Sequence, residues 1–60
     1  MFILTHENGN RELFTSHREV EMSFNINTKQ WHQVESGQEI QVDTFLGPCK
    51  FRKVRKGELH

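Results

Sequence analysis

Apolar and polar residues alternate strictly along Val20-Glu21-Met22-Ser23-Phe24-Asn25-Ile26. This is the period of a half-buried strand, with Val20, Met22, Phe24 and Ile26 on one face and Glu21, Ser23 and Asn25 on the other. A helix would scatter the four apolar residues around its circumference. The β-branched and aromatic residue types also favour a strand. A competing signal lies just upstream, where Ser16-His17-Arg18-Glu19 has the spacing of a helix capping box. A single helical turn near 16–19 leading into a strand over 20–26 accommodates both patterns.

The dipeptide Asn8-Gly9 predicts a type I′ turn, because both central residues of that turn need positive φ. A two-residue loop there sets Leu4 opposite Leu13, Ile3 opposite Phe14 and Phe2 opposite Thr15, so that apolar residues meet apolar residues. Further strands are predicted over 30–34, which holds Trp31, and over 39–45, which holds Ile40 and Val42, with Ser36-Gly37 as the turn between them. Leu46-Gly47-Pro48 breaks the chain again. The last strand is predicted over 49–55. Its apolar residues, Cys49, Phe51 and Val54, do not keep a period of two, and a β-bulge at Arg52-Lys53 would return Val54 to the inner face. Residues 57–60 are expected to fray.

The sum is an all-β chain of five or six short strands with at most one helical turn, forming a small, strongly bent antiparallel sheet or an SH3-like, partly open barrel. Sixty residues make one domain with a small core, and pairing of two copies into a homodimer is an expected remedy. The single cysteine, Cys49, has no intramolecular partner, and no zinc-ligand spacing occurs. Neither metal nor cofactor is expected. The segment Met1–Glu7 lacks a basic region and has only a short apolar run, so neither a signal peptide nor a membrane span is expected and the chain reads as cytoplasmic.

Charge changes this picture more than composition does. The formal net charge is zero, yet five of the eight Lys and Arg residues fall in Lys50-Phe51-Arg52-Lys53-Val54-Arg55-Lys56. Residues 1–49 carry three basic groups against seven acidic ones, and residues 50–60 carry five against Glu58 alone. Lys50, Arg52, Lys53, Arg55 and Lys56 are therefore candidate phosphate contacts. Trp31 and Phe51 are candidate stacking surfaces for an unpaired base. The same residues would equally serve as protection of an edge strand or as cross-strand partners of Glu39 and Asp43. Trp31 is also a candidate core or interface residue.

The four histidines, His6, His17, His32 and His60, are spaced without convergence, and nothing in the sequence supplies Cys49 with a base. No phosphate-binding loop, nucleophile elbow or dinucleotide motif is present. An enzyme is not expected. The expected function is binding: a protein-interaction or regulatory module that uses an exposed strand edge or a charge-polarised surface. The alternative is a nucleic-acid-binding module using residues 50–56.

Two short resemblances can be placed on the chain. Met1-Phe2-Ile3-Leu4-Thr5 resembles the opening of the CsrA family of RNA-binding dimers, whose following Gly-Glu and later Gly-Ile-x-Ala-Pro segments have no counterpart here. Leu4-Thr5-His6-Glu7-Asn8-Gly9 resembles the opening of FlbD-type flagellar proteins, with Gly37–Val42 in the place of their second hairpin. Neither resemblance transfers a functional residue.

Overall fold

A computed structural model of the chain describes residues 1–58. The element order is β1 (Phe2–His6), β2 (Arg11–Phe14), α1 (His17–Ser23), α2 (Thr28–Glu35), β3 (Ile40–Thr44) and β4 (Gly47–Lys53). The strands form one antiparallel sheet in the order β2-β1-β4-β3, so that β1 and β4 are central and each hairpin contributes one edge. The all-β expectation is therefore wrong. The chain is a small mixed α/β fold with four strands and two helices, neither an SH3-like barrel nor a sheet of five or six strands.

The strands expected over 20–26 and 30–34 are the helical segments, and their caps explain why. Ser16 has extended backbone and its side chain accepts from the Glu19 amide at 3.3 Å. The Glu19 carboxylate reaches back one residue beyond the usual capping box, accepting from the amide and hydroxyl of Thr15, both at 2.6 Å. Those two bonds hold the Glu19 carboxyl below its ordinary range, the Thr15 hydroxyl more than the amide. Val20 and Phe24 are four apart, a spacing that serves one face of a helix as well as one face of a strand. Val20 is fully buried, whereas Met22, which the alternation places inside, stands 81% exposed.

The second helix is capped by Asn27. Its Oδ1 accepts from the Gln30 amide at 2.7 Å, and Gln30 Oε1 accepts from the Asn27 amide at 3.1 Å, a complete capping box. The helix ends at Ser36 in a Schellman arrangement, with Gly37 N–H donating to Val34 O and Gln38 N–H to Gln33 O. Ser36-Gly37 is thus a helix stop rather than a hairpin turn.

The first hairpin differs from expectation by one residue. Phe2 pairs with Phe14, Ile3 with Leu13, Leu4 with Glu12 and Thr5 with Arg11. The loop holds three residues, closed by Gly9 N–H to His6 O at 2.9 Å and His6 N–H to Asn10 O at 2.8 Å. Only Gly9 takes positive φ (+92°), so Asn8 does not adopt the type I′ conformation that a two-residue loop demands. A one-residue slip exchanges the faces of a strand. Here it puts Phe14 on the same side as Phe2, under the helices.

β4 pairs with β1 without interruption from Cys49 to Lys53, so there is no bulge at Arg52-Lys53. Pro48 lies within β4 but opposite β3 only, beyond the reach of β1, where its missing N–H breaks no second ladder. Both helices pack on one face of the sheet. The core joins Phe2, Leu4, Phe14, Val20, Val34, Val42, Cys49 and Phe51, with Phe24, Ile26, Trp31 and Ile40 packed against it. Phe51 is its centre: fully buried, with ring centroids 5.2 Å from Phe24, 5.6 Å from Phe2 and 6.0 Å from Trp31. Among the described residues no helix is long and apolar enough to cross a membrane. Of the tail expected to fray, residues 59 and 60 lie outside the described residues.

Phe51→Ala is expected to cost about 3–5 kcal/mol, comparable with the roughly 3–9 kcal/mol total stability of a chain this size. Met22→Lys should change stability by less than about 0.5 kcal/mol, and Asn27→Ala should cost about 1 kcal/mol through loss of the cap. Urea unfolding followed by circular dichroism checks all three. A Met22→Lys penalty as large as that of Phe51→Ala would place Met22 in the core and overturn the helical assignment.

Candidate functional site

The basic stretch is divided by the alternation of β4. Lys50 and Arg52 pair with Thr5 and Ile3 of β1 and face away from the helices, while Phe51 and Lys53 point toward them. Arg55 and Lys56 follow the strand and are exposed. Phe51 is sealed in the core and offers no stacking surface. Trp31 is half-buried over the same core, with the His17 ring stacked on it at 4.1 Å and its indole Nε1 buried without a hydrogen-bond partner among the described residues.

Among the described residues, two of the five cations are engaged. The Arg52 guanidinium grips the Glu58 carboxylate with both terminal nitrogens, Nη1 donating to Oε1 at 2.8 Å and Nη2 to Oε2, and the Arg55 amide adds a bond of 2.9 Å. Arg52 and then Arg55 hold the Glu58 carboxyl down at about 2, against an ordinary 4.5. On the helical side, Glu35 accepts from His17 Nε2 at 2.8 Å and from Lys53 Nζ at 3.3 Å, which ties α2 to α1 and β4. The His17 bond is the main reason that the Glu35 carboxyl lies below its usual range. Charges segregated along the chain are thus intermixed in space. The face without helices carries Arg11, Lys50 and Arg52 together with Gln41, Asp43, Thr5, Ile3 and Leu13.

Two arrangements were not anticipated by sequence reasoning. The first is the tip of the β3–β4 hairpin, where Phe45 is fully solvent-exposed and Leu46 is 77% exposed. They line a hollow of about 270 Å³ together with Leu4, Phe24, His6 and Glu12. The Thr44 hydroxyl braces the turn, donating to Gly47 O at 3.0 Å and accepting from the Leu46 amide at 3.2 Å. The signal available in the sequence was the placement of two large apolar residues directly before Gly47-Pro48, where a turn is certain and apolar residues are unusual.

The second is a diagonal of Cys49, His6 and Glu12 across β4, β1 and β2. Cys49 Sγ is 3.2 Å from His6 Nδ1, and His6 Nε2 is 3.7 Å from Glu12 Oε1. Cys49 and His6 are 43 residues apart and face each other only because β1 pairs with β4. No local pattern could have joined them. Among the described residues there is no group of three or more His, Cys, Asp or Glu side chains arranged to hold a metal ion.

No known protein family, curated protein or solved structure matches the chain.

The Glu58 carboxyl titrates below its unfolded value, so the Arg52–Glu58 pair contributes stability in full above pH 4.5 and loses it as pH falls from 4.5 toward about 2. An NMR titration of the Glu58 side-chain carbon should show a midpoint near 2. A midpoint near the ordinary value would mean that the tail does not stay docked on Arg52.

Proposed function

We propose that the chain is a non-enzymatic protein-interaction module that docks a partner through the β3–β4 hairpin, using the free edge of β3 and the Phe45–Leu46 tip. The observation that carries this reading is the exposure of Phe45 and Leu46 at a turn. Single exposed apolar residues such as Met22 are ordinary, but Phe45 and Leu46 are adjacent, and contiguous exposed apolar surface marks contact sites. Aromatic anchors beside a pocket are where binding energy concentrates. The two edges of the sheet also differ. β2 is four residues long and carries Arg11 and Glu12, the charged, short form that discourages pairing. β3 is longer, and its exposed positions are Gln41 and Asp43. A partner strand added there would lie next to the apolar tip. Glu7, Glu12 and Asp43 stand around this end of the sheet against Arg11 and Lys50, a slight acidic excess that suits a partner with a basic rim. A second copy of the chain is one candidate occupant. With a lone cysteine and no disulfide, the reading is of a cytoplasmic module.

A nucleic-acid reading retains one supporting observation. Arg11 and Lys50 flank Thr5 on the helix-free face and make no ion pair among the described residues. It is the weaker reading because Arg52 and Lys53 are bound by Glu58 and Glu35.

The double substitution Phe45→Ser, Leu46→Ser should leave folding within about 0.5 kcal/mol. It should also weaken partner binding by roughly 30-fold or more, as removal of a hot-spot anchor does. Binding is read by affinity capture and then by titration of the captured protein. Self-association is read by sedimentation across a range of concentrations. Equal retention by wild-type and substituted chains would sink the docking reading. RNA or DNA binding that falls steeply with salt and vanishes on Arg11→Gln, Lys50→Gln would establish the other.

A further inference from the structure

We propose that two copies of the chain join as a symmetric dimer by antiparallel pairing of their β3 strands, centred on Val42, so that the two sheets become one. This rests on the β3 half of the docking reading and names the partner there as the chain itself. The argument begins with the backbone of the edge. An antiparallel ladder alternates between pairs that exchange two hydrogen bonds and pairs that exchange none. Asp43 stands opposite Pro48, which has no N–H to give. That pair is of the second kind, and the alternation turns the N–H and C=O of Asp43 and of Gln41 away from β4. β3 is the last strand of the sheet, and among the described residues no turn, loop or cap bond reaches either residue. The strand carries no proline and no lysine to block an approaching backbone.

A twofold axis pairs the strand with itself. The outward groups of the two copies meet only in registers centred on Gln41, Val42 or Asp43. Centring on Asp43 sets that carboxylate against its own copy, and centring on Gln41 sets it against Glu39. Both place like charges directly opposite each other. Centring on Val42 sets Gln41 against Asp43 twice and uses every outward N–H and C=O of both residues.

The charges of the helix-free face agree with that register. Asp43 and Pro48 lie in one row of this face, with Glu7 beside them. Gln41, Lys50, Thr5 and Arg11 form the next row. The first row is acidic and the second basic. Pairing Gln41 with Asp43 runs the acidic row of each copy into the basic row of the other, once on each side of the axis, which is electrostatic complementarity of a surface with itself. Lys50 is exposed and makes no ion pair among the described residues. In the dimer it reaches across Gln41 to Asp43 of the second copy, and Pro48 brings no competing charge. The Phe45–Leu46 tips fall outside the paired strands and stay open to a different partner.

Sedimentation from micromolar to millimolar concentration should show a reversible dimer. Asp43→Lys alone and Lys50→Asp alone should each weaken it by roughly tenfold or more, since each change puts like charges together twice. The double swap Asp43→Lys, Lys50→Asp should return the dissociation constant to near the wild-type value. Gln41→Pro removes an outward N–H without touching the β4 ladder, and should abolish the dimer with the circular dichroism unchanged. A chain that is monomeric at millimolar concentration, or a dimer indifferent to the charge variants, would overturn the proposal. If Gln41→Pro does not fold, the charge swap decides by itself. A monomeric chain whose captured partner is lost on Phe45→Ser, Leu46→Ser overturns the dimer and leaves the docking reading standing. A dimer that passes the swap test, with partner capture unchanged by the serine substitutions, does the reverse.

Discussion

The antiparallel pairing of Phe2–His6 with Cys49–Lys53 is the constraint on which the rest of the molecule depends. It joins the two ends of the sequence in the middle of the sheet. Each outer hairpin is local and closes over a few residues, but the sheet becomes one surface only when this ladder forms. It carries the largest loop closure in the chain, so its entropy must be recovered by contacts made at the same time. Those contacts are visible: Leu4 sits opposite Phe51, and the Phe2 and Phe51 rings stack across the ladder. Helices that are each only two turns long are held by the same event, since Phe24 and Trp31 pack on Phe51 as well as on Phe14 and Phe2 of the first hairpin.

The ladder also decides the fate of the basic stretch. A run of cations in sequence becomes a shared patch only if its side chains leave the backbone in one direction. In β4 they alternate. Lys53 is sent to the helical side, where Glu35 receives it, and Arg52 to the other, where Glu58 folds back on it. Both carboxylates are themselves held by more than one donor, which fixes these pairs better than isolated surface contacts usually are. Two of its five cations therefore act as internal fastening: Lys53 ties the sheet to α2, and Arg52 ties down the tail.

What could be read in the sequence follows the range of the interactions concerned. The Asn8-Gly9 hairpin, the breaks near Gly37 and Gly47, the strands around Val42 and Phe51 and the inward direction of Phe51 all rest on local chemistry. The strand assigned to 20–26 failed because Val20, Phe24 and Ile26 satisfy a period of two by coincidence of a short helix followed by extended chain. Met22 was the residue that distinguished the alternatives, and alternation alone cannot reveal that it is solvated. Capping was the better guide. Ser16-x-x-Glu19 opens a helix of two turns rather than one, and Asn27-x-x-Gln30, the same device, opens the helix that holds Trp31. The Cys49–His6 contact and the ion pairs to Glu35 and Glu58 depend on register and on chain reversal, neither of which any window of sequence contains.

The two hairpin tips of this sheet present a natural comparison. At the first, Gly9 supplies positive φ, and the polar Asn8 closes the loop by accepting from the Asn10 amide at 2.9 Å. Every residue there suits a turn in water. At the second, Gly47 supplies the positive φ (+112°) and Thr44 the bracing hydroxyl, so the backbone requirements are met without Phe45 or Leu46. Those two positions were free to be polar at no cost to the turn. Holding a phenyl ring in water gains nothing for the folded state, because the ring is as solvated there as in the unfolded chain. It also adds the hazard of association beside an open strand edge. Folding therefore gives no reason for Phe45, and it is on this residue that the proposed docking rests.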